Sequence, residues 1–146
     1  MRQNPYGKVP VLVDGGGVIY ESAIIDEYLD EKFPQNRLMP TDLLLRSKAR
    51  IWVDFMSTRL HAAASDITHD RNLAKAREQM TQHLQTLDKE MAGKDYLVGE
   101  YSLADVSFIP FYTRRERYKV AIDGNYPNLK RWGESLIARP RVAPTI

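Results

Sequence analysis

Residues 4–22 read NPYGKVPVLVDGGGVIYES. Two runs rich in β-branched residues, 9–13 and 18–20, lie on either side of Asp14 and three consecutive glycines. Glycine adopts a positive φ at little cost, and a tight turn between antiparallel strands needs that conformation. The stretch therefore predicts a β-hairpin near the beginning of the sequence.

A helix is predicted directly after the hairpin. Apolar residues recur at helical spacing over residues 24–33, and Ser22 suits the N-cap because its hydroxyl can accept a hydrogen bond from the first turn. Pro34 cannot continue a helix and ends it. Residues 35–40 are polar and end at a second proline, which favours a linker.

Only helices are predicted after the linker. Apolar residues at helical spacing predict helices over 41–66, 71–91, 102–115 and 127–138. The third begins with a capping box, in which Ser102 caps the helix and Asp105 reaches back to it, so both are assigned a structural role. The predicted fold class is α/β plus all-α, with a first part at 1–34, a linker at 35–40 and a helical part at 41–146.

A two-stranded hairpin with one helix is marginal by itself, and its strand edges would be unpaired. We therefore expect strands from outside these 146 residues to pair with it.

The composition excludes several kinds of site. Lys and Arg number 21 and Asp and Glu 19, a balance too even to predict direct nucleic-acid binding. Without cysteine there is no disulfide, thiolate metal site or cysteine nucleophile. The three histidines, His61, His69 and His83, lack the spacing of metal ligands, so no metal is predicted. No apolar run reaches membrane-spanning length, and we expect a cytoplasmic protein without membrane contact.

The pattern NPxGKVPxL at residues 4–12, followed by Glu-Ser at 21–22, resembles the glutathione-binding half of the glutathione S-transferase family. The SxxD box at 102–105 and its apolar helix resemble that family's C-terminal domain. The resemblance implies that residues 1–34 are the C-terminal part of a thioredoxin-like glutathione-binding domain. It also implies that residues 41–146 are the family's all-helical domain.

Glutathione has groups that match the residues of this pattern. The resemblance implies a cis Val9-Pro10 bond, which would turn the Val9 backbone toward the cysteinyl part of the ligand for strand-like pairing. Ser22 at a helix N-terminus suits the γ-glutamyl carboxylate. Glu21 can bind the ammonium group, and Lys8 the glycine carboxylate. Taken singly, these residues also fit structural roles: an edge-strand proline, a helix cap and surface charges.

The family's chemistry positions and deprotonates the glutathione thiol, using a hydroxyl or thiol near the end of a first strand. The resemblance places that strand, its helix and a second strand before residue 1, so no catalytic residue is predicted within the 146 residues. We expect the chain as given to bind glutathione weakly and to have little or no transferase activity.

Two functional classes follow. The first is an enzyme that uses glutathione as co-substrate and transfers its thiol to a small electrophile, and we expect it to be a homodimer. The second is a non-catalytic regulator that binds RNA polymerase, since residues 20–40 resemble the family member called stringent starvation protein A. The set of Lys8, Val9, Glu21 and Ser22 favours the enzyme, because a pure binding module has no need to match four groups of the ligand.

Overall fold

The computed structural model describes residues 3–146, and the predicted order of hairpin, helix, connection and helices is confirmed. The start of the first predicted domain, residues 1–2, lies outside the described residues. The strands are β1 (Val11–Asp14) and β2 (Gly17–Tyr20). The α-helices within the described part are α1 (Ser22–Lys32), α2 (Leu43–Asp54), α3 (His61–Thr68), α4 (Leu73–Glu90), α5 (Leu103–Thr113) and α6 (Pro127–Ile137).

The hairpin is antiparallel and has a two-residue turn. Val11 pairs with Tyr20 at one end, and Asp14 pairs with Gly17 at the other. Gly15 and Gly16 form the turn with φ values of 55° and 84°, which is the backbone that the glycine run predicted. Pairing begins at Val11, two residues later than predicted, because Pro10 has no N–H to donate to a ladder.

Helix α1 is fastened to the hairpin turn. The Tyr28 hydroxyl donates to Asp14 Oδ2 at 2.7 Å, and Lys32 pairs with the same carboxylate. Ile25 on the same helix is buried. The contacts that orient α1 therefore lie at the turn end of the hairpin, whereas the first turn of α1 follows the other end.

The predicted linker is held in place by a buried carboxylate. Asp30 is 7% exposed and accepts hydrogen bonds from the backbone N–H groups of Leu38 and Met39, the latter at 3.1 Å. The first linker residues form a short 3₁₀ turn, Pro34–Asn36. The connection is thus a fixed part of the structure, although its composition is that of a linker.

The helix predicted over 41–66 is observed over 43–68, and its geometry changes within the run. Asp42 caps α2 by accepting from Leu45 N at 2.8 Å. Between α2 and α3, Phe55–Leu60 form a π-helical segment, so the run stays helical with one wider stretch. The Phe55 ring meets Trp52 and His83 edge-on, with centroids 5.4 Å and 5.3 Å away.

The core lies among the helices of the second part. Trp132 of α6 is fully buried and stacks on Phe108 of α5, with ring centroids 4.4 Å apart. Gly133 lies against the Tyr112 ring so closely that a Cβ there would come within 2.2 Å of it. Helices α5 and α6 therefore approach each other at a distance that only glycine permits.

The capping box of α5 is confirmed and extends further than predicted. Asp105 Oδ2 accepts from the backbone N–H and the hydroxyl of Ser102, at 2.9 Å and 3.0 Å. Its Oδ1 accepts from Leu97 N and from the Trp132 indole, both at 3.1 Å. Burial raises the pKa of Asp105, and these four donated hydrogen bonds lower it in part. The same carboxylate therefore joins the preceding loop, α5 and α6.

Helix α5 ends at Thr113, so the basic residues that follow lie beyond the helix instead of on its last turn. Arg115 stacks on the Tyr112 ring at 4.3 Å and donates to the Tyr112 carbonyl at 2.7 Å. No helix within residues 3–146 is both long and apolar enough to cross a membrane. In the same residues no His, Asp and Glu side chains converge as a metal site would require.

Replacing Asp105 by alanine should lower the free energy of unfolding by about 2–4 kcal/mol, because several buried donors lose their acceptor. The matched variant Asp95→Ala removes a carboxylate that is 90% exposed and should change it by less than about 0.5 kcal/mol. Urea unfolding of both variants measures the difference. Equal stability of the two variants would contradict the role of Asp105 in connecting the preceding loop, α5 and α6.

His61 should make stability depend on pH. Burial lowers the pKa of His61 below the ordinary 6.5, the Arg114 charge lowers it further, and a hydrogen bond with the Ser107 backbone raises it in part. The unfolded chain then binds the proton first as pH falls, so the stability is fully present above 6.5 and is lost below it. The fall in Tm between about pH 7.5 and about pH 5.5 should be smaller in His61→Gln. An unchanged fall would show that His61 titrates alike in both states.

Candidate functional site

The register of the hairpin brings the predicted site residues to one end of it. Val11 and Tyr20 form the last pair, so the residues just before Val11 and just after Tyr20 leave the sheet side by side. Those residues are Val9 and Pro10 on one chain segment and Glu21 and Ser22 on the other. Four of the five predicted residues therefore flank the last pair of the ladder along the chain, and Lys8 directly precedes Val9.

Residues 5–10, which directly precede β1, are exposed. The Val9-Pro10 peptide bond is cis, as the family resemblance implied. Val9 is 90% exposed, which is unusual for an apolar residue next to a strand. Lys8 is exposed as well. A backbone and a cation are thus both accessible at this end of the hairpin.

Asn4 organises this segment, a role that the sequence interpretation missed. Its side chain is 4% exposed, its Nδ2 donates to the Lys8 carbonyl at 3.0 Å, and its Oδ1 accepts from Tyr6 N at 2.9 Å. Its carbonyl accepts from Gly7 N at 2.9 Å, and Gly7 has a φ of 64°. The Asn-Pro-x-Gly spacing was the available sign, because asparagine commonly bonds to the backbone of its own turn.

Ser22 is not the N-cap of α1, and that prediction is wrong by one residue. The helix begins at Ser22, and Glu21 holds the N-cap position with φ 71° and ψ 116°. The Glu21 carbonyl accepts from Ile24 N and Ile25 N, at 3.1 Å and 3.0 Å. The backbone turns out of β2 at Glu21 itself, so the helix starts one residue earlier than predicted.

The N-terminus of α1 is open to an anion. Within the described residues no side chain caps this helix, and Glu21 and Ser22 are both exposed. The first N–H groups of a helix have no partner inside it and carry the positive end of the dipole. A carboxylate can therefore bind at Ser22, where a hydroxyl lies beside those N–H groups.

The next turn of α1 connects the site to the helical part. Glu27 Oε1 accepts from Arg50 Nε of α2 at 2.9 Å, and the two side chains form an ion pair. Asp26 is half-buried beside it, and burial raises the pKa of its carboxyl group. These contacts hold the first turns of α1 against the helical domain.

The arrangement suits an extended peptide that carries charges at both ends. The open backbone at Val9 can pair with a peptide unit in the manner of an added strand. Lys8 and the α1 N-terminus attract carboxylates, and Glu21 attracts an ammonium group.

Comparisons with known proteins agree with this geometry. The family model for the N-terminal domain of glutathione S-transferase matches residues 1–37, and the model for its C-terminal domain matches residues 52–140. Glutathione S-transferase U25 of Arabidopsis thaliana is 31% identical over the whole chain, which spans 70% of that protein. A probable glutathione S-transferase of Nicotiana tabacum is 31% identical, and the match covers 94% of this chain and 66% of the tobacco protein.

Solved structures show the same fold. A glutathione S-transferase of Methylobacterium radiotolerans, in complex with glutathione sulfonate, superposes with a TM-score of 0.87 at 26% identity. The match covers 99% of this chain and 74% of that one. A glutathione S-transferase of Methylobacillus flagellatus with glutathione bound gives 0.89 at 25% identity, over 98% and 77% of the two chains. By sequence and by structure, this protein belongs to the glutathione S-transferase family.

Proposed function

We propose that this protein binds glutathione as its co-substrate at the open end of the hairpin, and that the whole protein transfers the glutathione thiol to small electrophiles. The observation that carries the proposal is the pairing of Val11 with Tyr20, because Val9-Pro10 directly precedes one member of that pair and Glu21-Ser22 directly follows the other. Family membership supports it, since the relatives named above are glutathione S-transferases and two of the solved structures contain glutathione or its sulfonate.

Each of these residues binds one part of the tripeptide. The Val9 backbone pairs with the central cysteinyl unit, and Pro10 ends the segment without a competing donor. Ser22 and the first turn of α1 bind the γ-glutamyl carboxylate. Glu21 binds the ammonium group and Lys8 the glycine carboxylate. Bound glutathione supplies the thiol, and the residues named here orient it from both ends.

The backbone of Glu21 supports a role in binding. A non-glycine residue with φ 71° is in the left-handed half of conformational space, which costs about 1–2 kcal/mol. Glycine would avoid that cost. Strain of this kind is concentrated at binding sites, where a particular side chain is worth more than the stability it costs. The carboxylate of Glu21, which is exposed, is the group that glycine would lack.

The regulatory alternative, with RNA polymerase as partner, stays a prediction of the resemblance at residues 20–40. A homodimer and a cytoplasmic location are further proposals that rest on the family. The two-part organisation at 1–34 and 41–146 is proposed on the same ground. The Glu27–Arg50 pair joins the two parts, and Asp30 bonds to the linker between them.

Glutathione binding tests the proposal by calorimetric titration of the whole protein. Glu21→Gln should weaken the affinity about tenfold or more, since it removes a charge-assisted hydrogen bond, and Ser22→Ala about threefold to tenfold. Glu31→Gln on α1 and Ser57→Ala on the π-helical segment remove the same groups at exposed positions elsewhere and should leave the affinity within about twofold. Equal effects of the site variants and their matched controls would refute this placement of the ligand.

The strain at Glu21 is tested by two truncations. Glu21→Gly and Glu21→Ala both lose the carboxylate, so both should bind glutathione equally weakly. Only glycine relieves the backbone, so Glu21→Gly should unfold at higher urea than Glu21→Ala, with a difference of about 1 kcal/mol. If the Glu21→Ala variant is as stable as the Glu21→Gly variant, the backbone at this position is not strained, and the argument from strain fails.

A further inference from the structure

The sequence contains two Asp-Gly bonds, Asp14-Gly15 at the hairpin turn and Asp123-Gly124 in the loop before α6. Such a bond can rearrange without an enzyme, because glycine has no side chain to shield its backbone nitrogen from the carboxyl group of the preceding aspartate. In a folded protein the reaction also requires a carboxyl group that is free to approach this nitrogen. The structure gives the two bonds different surroundings.

The Asp14 carboxylate is held by α1. The Tyr28 hydroxyl donates to its Oδ2 at 2.7 Å, and Lys32 forms an ion pair with the same oxygen. The backbone of Asp14 also belongs to the ladder, where it pairs with Gly17. Two donors on one oxygen, one of them a cation, fix the orientation of this side chain. These bonds must break before the carboxyl group can react with the next nitrogen.

The Asp123 carboxyl group is directed toward its own peptide bond. Its Oδ1 accepts from Asn125 N at 2.9 Å, and its carbonyl accepts from Tyr126 N at 3.0 Å. A carboxyl group that bonds to the N–H two residues further on lies across the intervening peptide, so Cγ comes close to the Gly124 nitrogen. Asp123 and Gly124 are both exposed. Among residues 3–146 no ion pair involves Asp123.

We propose that Asp123-Gly124 is a modification site, at which aspartate isomerises to isoaspartate, and that the contacts with α1 protect Asp14-Gly15. The Gly124 nitrogen attacks Cγ of the protonated Asp123 carboxyl group. A C–N bond forms, the nitrogen loses its proton, and one carboxyl oxygen leaves as water. Water then opens the succinimide at Cγ, which restores aspartate, or at the α-carbonyl, which gives isoaspartate. The water that is lost is regained, so the sum is an isomerisation without oxidant or reductant.

Isoaspartate adds one methylene group to the main chain of a loop that is anchored on both sides. Ile122 is 7% exposed, and Leu129 is fully buried and donates its N–H to Asp88 Oδ1 at 2.9 Å. The Asp123 carbonyl that accepts from Tyr126 N becomes part of a free carboxylate. The modification therefore disturbs the turn that leads into α6. None of these residues belongs to the site proposed for glutathione, so the two proposals are tested separately.

The test compares the two bonds within one chain. The whole protein is incubated in its folded state at neutral pH and cleaved with trypsin, which releases residues 9–32 and 120–130 with one Asp-Gly bond each. Chromatography with electron-transfer fragmentation measures isoaspartate in each peptide. Residue 123 should contain at least about fivefold more than residue 14, since the bonds to Asp14 must break first. In urea, where neither side chain is held, the two should agree within about twofold.

Two variants test the cause at each bond. A Cβ at Gly124 meets nothing within 4 Å and its φ is not positive, so Gly124→Ala should fold. Its methyl group shields the nitrogen, and isoaspartate at residue 123 should fall to the level at Asp95, which is 90% exposed and precedes a tyrosine. The double variant Tyr28→Phe, Lys32→Met removes the donors to Asp14. It should raise isoaspartate at residue 14 to within about twofold of residue 123 and leave residue 123 unchanged.

Equal isoaspartate at the two residues of the folded protein, or none at residue 123, would overturn the proposal. A ratio that persists in urea would do the same, because it would assign the difference to the neighbouring sequence and not to the fold. So would unchanged isoaspartate at residue 123 in Gly124→Ala. If residue 14 stays unmodified in the folded double variant, the contacts with α1 are not what protects it.

Discussion

The Asp105 carboxylate lies where three parts of the helical domain meet. It accepts from the loop at Leu97, from the start of α5 at Ser102 and from the α6 indole of Trp132. A buried polar group is tolerated only when its hydrogen bonds are complete, so all three parts must keep their positions together. Helix α5 in turn packs against α1 and α2. The positions of the loop before α5, of α5 itself and of α6 therefore depend together on this one side chain.

Most of the fold could be predicted from local sequence patterns. The Gly15-Gly16 turn, the capping box at Ser102 and the proline after α1 each act within a few residues, so their effect is visible in the sequence. Contacts between distant residues were not visible. Asp88 of α4 accepts from Leu129 N of α6 at 2.9 Å, and nothing in the sequence relates two residues so far apart. The π-helical segment at 55–60 was also missed, because its apolar spacing is that of an ordinary helix.

The candidate site shows the same division between residue types and backbone. Glu21 and Ser22 were identified from their chemistry and from the family pattern. The N-cap of α1 was assigned to Ser22, one residue after its observed position at Glu21. Serine is among the commonest N-caps and glutamate is not, so the usual preference pointed to Ser22. The structure gives that position to a glutamate with a positive φ, which propensity alone would not select. Asn4 was missed for a related reason, since burial of a polar side chain is a property of the folded loop.

The end of the hairpin and the loop after α4 differ in the number of contacts that hold them. The loop after α4 is held at one end by Arg131, which donates to the Met91 and Lys94 carbonyls, and at the other by Asp105, which accepts from Leu97 N. The end of the hairpin is held by the hydrogen bond from Asn4 to Lys8 and by the Val11–Tyr20 pair, which is the last pair of a two-stranded sheet. Short sheets are marginal by themselves, and a ligand that bonds to both segments adds to their stability by binding the folded form. Binding of an extended peptide at Val9 and Ser22 would thus add a link between the two segments at the end of the ladder opposite to Asp14, where Tyr28 and Lys32 already join α1 to β1.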